Sequence, residues 1–112
     1  MQQITDEQMQ QMLMTTKEYT LVLLKSVRGV EKENLPQLLW EHGRRNFALR
    51  AEGIMPIVAP VTIESEIAGI CIFDTDANRA REIMEHDPAV QEGIFTIEVL
   101  PIRSFPGDNL PE

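Results

Sequence analysis

The sequence lacks most of the features that would assign it to a specialised class of protein. It has a single cysteine, Cys71, which excludes an internal disulfide and a zinc site built on cysteines. Cys71 stands inside an apolar run, and this predicts a buried, inert thiol rather than a nucleophile. A glycine-rich phosphate loop, a nucleophile elbow and a paired-cysteine motif are also missing.

Long apolar runs and clustered positive charges are absent as well. No run approaches the roughly 20 apolar residues of a membrane-spanning helix. The first residues do not follow the basic-then-apolar pattern of a secretory signal, so we expect a cytoplasmic protein without a membrane partner. The net charge is −8 and the basic residues are scattered, which argues against a nucleic-acid partner.

The residues that are present suit a single domain with one modest core. Of the 112 residues, 43% are hydrophobic and 25% are charged, as in an ordinary globular protein. A continuous apolar run predicts that the first strand is central in a sheet. Pro56 and Pro60 predict that the second strand is irregular or at an edge. The predicted elements are a strand at 17–26, a helix at 33–51, strands at 54–62 and 66–73, a helix at 78–86 and a strand at 94–102.

This order predicts an α+β fold of the ferredoxin-like, split βαβ kind (βαββαβ). If both crossovers are right-handed, the two helices pack on one face of a four-stranded antiparallel sheet. The opposite face is then apolar and uncovered, which predicts a homodimer formed through the sheets.

Residues 1–16 are predicted to form an N-terminal helical extension. Residues 4–14 place Met9, Met12 and Leu13 on one face of a short amphipathic helix. A helix this short is marginal alone, so it must dock or fray. A loosely ordered extension is the alternative. The domain then covers 17–105, and the Pro- and Gly-rich residues 106–112 form an irregular tail.

His42 and Asp87 are the candidate functional pair. Helical periodicity puts His42 in the middle of the inward stripe of the first long helix, with Leu39 and Asn46 on the same stripe. A polar imidazole facing a sheet needs a hydrogen-bond partner. Pro88 should end the second long helix and leave Asp87 at the helix–strand junction, directed inward, whereas His86 points away. We therefore predict that His42 and Asp87 meet.

A second apolar strip runs along the first long helix beside the inward stripe. It comprises Trp40 and Phe47, with Gly43 and Ala51. Such a strip can receive the N-terminal helix or a second subunit.

Three groups of residues resemble, in their order and spacing, the YciI-like (YCII-related) family, whose members are dimeric α/β barrels of the ferredoxin-like type. The resemblance covers about residues 17–105. The groups are His42 with Glu52-Gly53 and Ala59-Pro60, then Asp87-Pro88 with Gly93 and Phe95, and finally the apolar run into Pro101–Phe105. Ala59 stands where the family usually has glycine. The resemblance implies a His42–Asp87 pair in a pocket between helices and sheet, and Pro60, Asn46 and His86 are candidate ligand-binding residues around it.

The pair suits general acid–base chemistry on a small molecule. A carboxylate bonded to one imidazole nitrogen fixes the tautomer and leaves the other nitrogen to accept a proton. We expect isomerase- or lyase-type chemistry without a cofactor. The alternatives are a non-catalytic protein that binds a small metabolite, an accessory protein, and a buried pair with a purely structural role. A metal site is not expected, since His42, His86, Glu85 and Asp87 lack suitable ligand spacing.

Overall fold

Eight helices and strands make up the chain in the computed structural model, which describes residues 1–112. None of the helices has both the length and the apolar character needed to cross a bilayer. In chain order the elements are α1 (Asp6–Met14), β1 (Lys17–Ser26), α2 (Leu35–Ala51), β2 (Ile57–Pro60), β3 (Ile67–Phe73), α3 (Ala77–Glu85), α4 (Pro88–Gln91) and β4 (Phe95–Ser104).

The four strands form one antiparallel sheet in the order β2-β3-β1-β4. The apolar β1 is central, as predicted, and pairs with β4 along its whole length, from Lys17 opposite Ser104 to Ser26 opposite Phe95. With α2 and α3 as the two crossovers, this is the ferredoxin-like α+β fold that the order of elements predicted. That prediction is confirmed.

The second strand is much shorter than the predicted 54–62. The amides of Ile54 and Met55 both donate to the Leu49 carbonyl, at 3.1 and 3.2 Å. These two residues therefore close the end of α2 instead of extending a strand. Pro56 has no amide to donate, so strand pairing begins only at Ile57. As predicted, the strand lies at an edge of the sheet.

The junction between α3 and β4 holds an additional one-turn helix, α4, that the sequence did not predict. Pro88 ends α3 but also opens α4, because the first position of a helix needs no amide donor. Gly93, at φ 74°, then turns the chain into β4. β4 extends beyond the predicted 94–102 to Ser104. Pro101 has no amide to donate, but on an edge strand this need not interrupt the hydrogen bonds to the neighbouring strand.

The core lies between one face of the sheet and the helices α2 and α3. As predicted, α3 buries Ala80, Ile83 and Met84. α2 packs Leu35, Leu38 and Leu49 against the core. Leu39, predicted on the same inward stripe, is instead 39% exposed, because α2 contacts the core along a narrower stripe than the periodicity implies.

The other face of the sheet, the open face, is apolar and has no cover within the chain. Strand register places Leu21 and Leu23 of β1 on it, opposite Ile72 and Ile70 of β3. An ion pair of 2.9 Å between Lys25 and Glu98 lies at its border. The remaining large side chains of the open face are Tyr19, Ile57, Leu100 and Ile102, none of them buried.

The N-terminal extension is a helix, as predicted, and it projects from the domain. A capping box closes the start of α1: the Gln8 amide donates to the Thr5 hydroxyl at 3.2 Å, and the Thr5 amide donates to the Gln8 side chain at 2.9 Å. No residue of α1 is buried, and the molecule measures 57 × 28 × 25 Å. α1 is thus ordered locally, with its apolar side chains about half exposed or more.

Candidate functional site

The imidazole of His42 and the carboxylate of Asp87 lie in direct contact between α2 and the α3–α4 junction. His42 Nδ1 is 2.7 Å from Asp87 Oδ2. The Asp87 side chain is fully buried, whereas that of His42 keeps 13% of its surface exposed. The predicted contact is present, and the imidazole forms the exposed end of the pair.

Asp87 is held as a carboxylate by the start of α4. Its Oδ1 accepts the amides of Ala89 at 2.8 Å and Val90 at 3.4 Å, which is the usual N-cap arrangement. Burial alone would raise the pKa of Asp87, but the hydrogen bond and charge of His42 and these two amides oppose it, and the net pKa lies below its usual value. Asp87 is therefore ionised at neutral pH.

An ionised Asp87 determines the tautomer of His42. Because the carboxylate only accepts, Nδ1 carries the proton, and Nε2 is left with a lone pair. The side chain of Asn46, one turn later on α2, places its Nδ2 3.2 Å from Nε2 and donates to it. The Phe95 ring lies 5.2 Å from the imidazole, centre to centre. The ring is thus contacted on three sides, and the lone pair of Nε2 accepts the hydrogen bond from Asn46.

His42 lines a cavity of about 310 Å³ between α2 and the β2–β3 edge of the sheet. Apart from the Cys71 thiol, the only polar side chains in its wall are those of His42 and Asn46, and no Asp, Glu, Lys or Arg lines it. The volume and the apolar lining are those of a small-molecule site. The apolar wall consists of Leu24, Phe47, Val58, Ala59, Pro60, Ala68, Ile70, Met84 and Phe95, with Gly43 and Gly69.

Gly69 of β3 allows the edge strand β2 to approach closely at the cavity wall. A Cβ atom at this position would lie 3.2 Å from the Ala59 carbonyl oxygen and 3.4 Å from Pro60 Cα. Both are backbone atoms, so a side chain would displace β2. The spacing of this wall therefore depends on Gly69.

Of the three candidate ligand-binding residues, two line the cavity and one does not. Asn46 and Pro60 line the cavity. His86 does not: it is exposed, and its Nδ1 lies 2.7 Å from the carbonyl oxygen of Glu82 on its own helix. His86 points outward, as predicted, and lies outside the cavity.

Cys71 faces the cavity as a buried thiol. It is 6% exposed, and burial, followed by the negative charge of Asp87, raises its pKa to about 12. A thiol with this pKa is protonated at neutral pH and is a poor nucleophile. No three His, Cys, Asp or Glu side chains come together as metal ligands would.

Sequence reasoning missed Met84 and Leu24 as cavity residues, since both read simply as core. Phe95 was noted only as part of the family resemblance. Its pairing opposite Ser26 places it on the helix-covered face of the sheet. An explicit register for the last strand would have found it.

Comparisons with known proteins identify the fold. No protein-family model matches the sequence, and no curated protein matches it. Among solved structures, muconolactone isomerase is 16% identical with a TM-score of 0.59, covering 84% of this chain and 97% of that one. The 5-chloro-2-hydroxyhydroquinone dehydrochlorinase of Burkholderia phenoliruptrix, in complex with 2,5-dihydroxybenzoquinone, is 15% identical with a TM-score of 0.53, covering 73% and 90%.

A dimeric protein of unknown function from Bacteroides fragilis, with a ferredoxin-like fold, is also similar. It is 15% identical over 81% of this chain and 96% of that one, with a TM-score of 0.43. At such identities the first two structures establish the shared fold. Membership of the YciI-like family stays a prediction.

Proposed function

We propose that the chain is a small-molecule enzyme of the YciI-like kind in which His42 acts as general base. The observation that carries the proposal is the His42–Asp87 pair, in which His42 lines a largely apolar cavity. A carboxylate behind an imidazole stabilises the imidazolium that forms when Nε2 takes a proton. In this role Asp87 orients His42 and does not touch the ligand.

The reaction class that fits is proton transfer at carbon. Nε2 removes a proton from a carbon next to an electron-withdrawing group of the ligand, and the electron pair moves toward that group. In an isomerisation the imidazolium returns the proton to another carbon. In an elimination that electron pair forms a double bond as a leaving group departs from the adjacent carbon with its own pair, and the imidazolium gives its proton to the leaving group or to water. Both outcomes balance without a cofactor.

The cavity wall favours a compact, uncharged ring compound as the ligand. With no Lys or Arg in the wall, an anionic group would be buried without a partner. The names of two similar structures agree with this size class, since one is an isomerase of a lactone and the other a dehydrochlorinase that binds a benzoquinone. Asn46 is the neutral polar side chain beside His42 in the wall. Its Oδ1 is buried and accepts no hydrogen bond.

We further propose a cytoplasmic homodimer that packs the open face of one sheet against that of a second copy. The open face carries apolar side chains from all four strands, and none is buried in the single chain. Two such faces packed together resemble a β-sandwich core.

The two histidines of the chain provide a matched test of the reaction. Wild type is screened against lactones and hydroxyquinones, with anionic aromatic acids as the class expected not to react, and His42→Gln is compared with His86→Ala on any compound that turns over. His42→Gln retains a donor for Asp87 but no base, so turnover should fall about 10²- to 10⁴-fold. His86→Ala should leave turnover unchanged. If His42→Gln keeps wild-type turnover, His42 is not the base.

A non-catalytic binding protein is the second candidate function. It is favoured by one observation: Nε2 already accepts a hydrogen bond from Asn46 at 3.2 Å. If a compound binds wild type by calorimetry, remains chemically unchanged, and binds His42→Gln with similar affinity, this function replaces the first.

A further inference from the structure

A groove of about 420 Å³ lies on the outer side of α2, away from the core. This α2 groove is formed by Leu39, Trp40, Gly43, Arg44 and Phe47. Trp40 is 70% exposed and Phe47 67% exposed, which is unusual for two large aromatic side chains on one helix face. Nothing lies within 4 Å of the position that a Cβ atom on Gly43 would occupy, so the floor of the groove is open.

α1 presents the matching surface. Met9, Met12 and Leu13 fall on one face at helical spacing and are 51%, 47% and 56% exposed. Flexible methionine side chains adapt well to an irregular apolar surface. An amphipathic helix laid in an apolar groove is a common mode of recognition. The chain thus carries both halves of such a contact, and neither half is covered.

The turn after α1 keeps the helix from its own groove. The hydroxyls of Thr15 and Thr16 donate to the carbonyls of Met12 and Leu13, at 2.7 and 2.8 Å. β1 begins at the next residue, Lys17, which is fixed by a 2.7 Å ion pair with Asp74. No free linker remains, so folding α1 back onto the same chain would break this turn.

Charge also complements the two surfaces. α1 carries Asp6 and Glu7 in its first turn and no Lys or Arg. α2 carries the exposed Arg44 and Arg50, and Arg44 lines the groove and pairs with the exposed Glu41 at 3.3 Å. An acidic helix approaching this basic side of α2 would be attracted to it.

We propose that α1 of one copy of this chain docks in the α2 groove of a second copy, with Met12 against Trp40. Gly43 and Phe47 line both the α2 groove and the cavity beside His42. The docked helix therefore lies at the rim of that cavity. The contact is independent of the reaction proposed above and stands whether or not His42 is a base.

Disulfide trapping between two variants of the full chain, each with one added cysteine, tests the contact. Met12→Cys and Trp40→Cys are mixed under mild oxidation, and the control mixture pairs Met12→Cys with Arg81→Cys, an exposed position on α3. Cys71 does not compete, because it is buried and its pKa is about 12. A docked contact should form the Met12→Cys–Trp40→Cys disulfide roughly tenfold faster than the control or more, since docking raises the effective thiol concentration.

The double variant Met12→Cys/Trp40→Cys distinguishes docking of α1 on a second copy from docking of α1 on its own chain. An excess of wild-type protein added before oxidation should suppress the disulfide if it joins two chains. A disulfide that survives this dilution as a monomer overturns the proposal in favour of intrachain docking. A mixed-variant rate equal to that of the Arg81→Cys control overturns it as well. Both cysteines replace exposed side chains, and circular dichroism checks that the variants fold.

Discussion

The two faces of the sheet have the same apolar character but opposite surroundings. The covered face packs against α2 and α3 and contains the fully buried Asp87, whose carboxylate oxygens all have partners. The open face carries large apolar side chains that remain accessible. The covered face is therefore buried by the helices of its own chain, whereas the open face can be buried only by a second molecule. Each prediction below acts on one face alone.

Removing the Asp87 carboxylate should have the largest effect. Asp87→Ala leaves the Ala89 and Val90 amides without an acceptor and deprives His42 of its partner, at a cost of about 3–5 kcal/mol in the free energy of unfolding. Urea denaturation measures this cost. Asp87→Asn retains an acceptor for the amides and should lose less. If both variants lose the same stability, the hydrogen bonds to the Ala89 and Val90 amides contribute little, and the loss comes from the charge of Asp87.

A charge on the open face should change assembly and leave the covered face intact. Leu21→Lys would bury an unpaired ammonium between two sheets, since its cross-strand neighbours are Leu100 and Ile72, so the dimer should weaken by about 2 kcal/mol or more, roughly 30-fold in Kd. Light scattering across a concentration series reads this directly. Gln91→Lys adds the same charge at an exposed position on α4 and serves as control. A wild-type monomer at high micromolar concentration would contradict the sheet-to-sheet dimer.

The pH dependence of the free energy of unfolding should report on Asp87 in the covered face, with a smaller effect than the two substitutions above. The pKa of Asp87 is lowered by folding, so its contribution is complete above the unfolded pKa of about 3.9 and is lost as pH falls through the lower folded pKa. The stability gap between wild type and Asp87→Asn should therefore narrow below about pH 4. A gap that stays constant from pH 6 to pH 2.5 would show that Asp87 is not ionised in the folded state.

The reactivity of Cys71 should give the smallest signal. Its burial and its pKa of about 12 predict that a thiol reagent at neutral pH labels the folded protein only as fast as the chain opens. Labelling in urea, where the same thiol is exposed, provides the reference rate. Fast labelling of the folded protein would mean that the cavity wall opens locally.

The sequence predicts the covered face better than the outer surfaces, for physical reasons. Helical periodicity and the backbone restrictions of Pro88 are local, so they located His42 and Asp87 correctly. The turn at Ile54 and Met55 forms because the Leu49 carbonyl accepts the amides of both residues. No residue pattern in the sequence predicts such a pair of hydrogen bonds.

Surfaces that depend on a second molecule are harder still to predict. Trp40 is an apolar residue on a helix, and its type alone favours burial. Its 70% exposure follows from which side of α2 meets the sheet. The hydrogen bond from Asn46 to Nε2 was equally out of reach, because a four-residue spacing on a helix permits the contact without requiring it.

The contact between His42 and Asp87 joins residues 45 positions apart, one from each βαβ half of the chain. Neither half has a complete site, so the cavity exists only in the fully folded molecule. A ligand of the cavity must then stabilise the whole fold, by about 2.7 kcal/mol when present at a hundred times its Kd. An upward shift of the thermal unfolding midpoint would therefore reveal a ligand before any turnover is known.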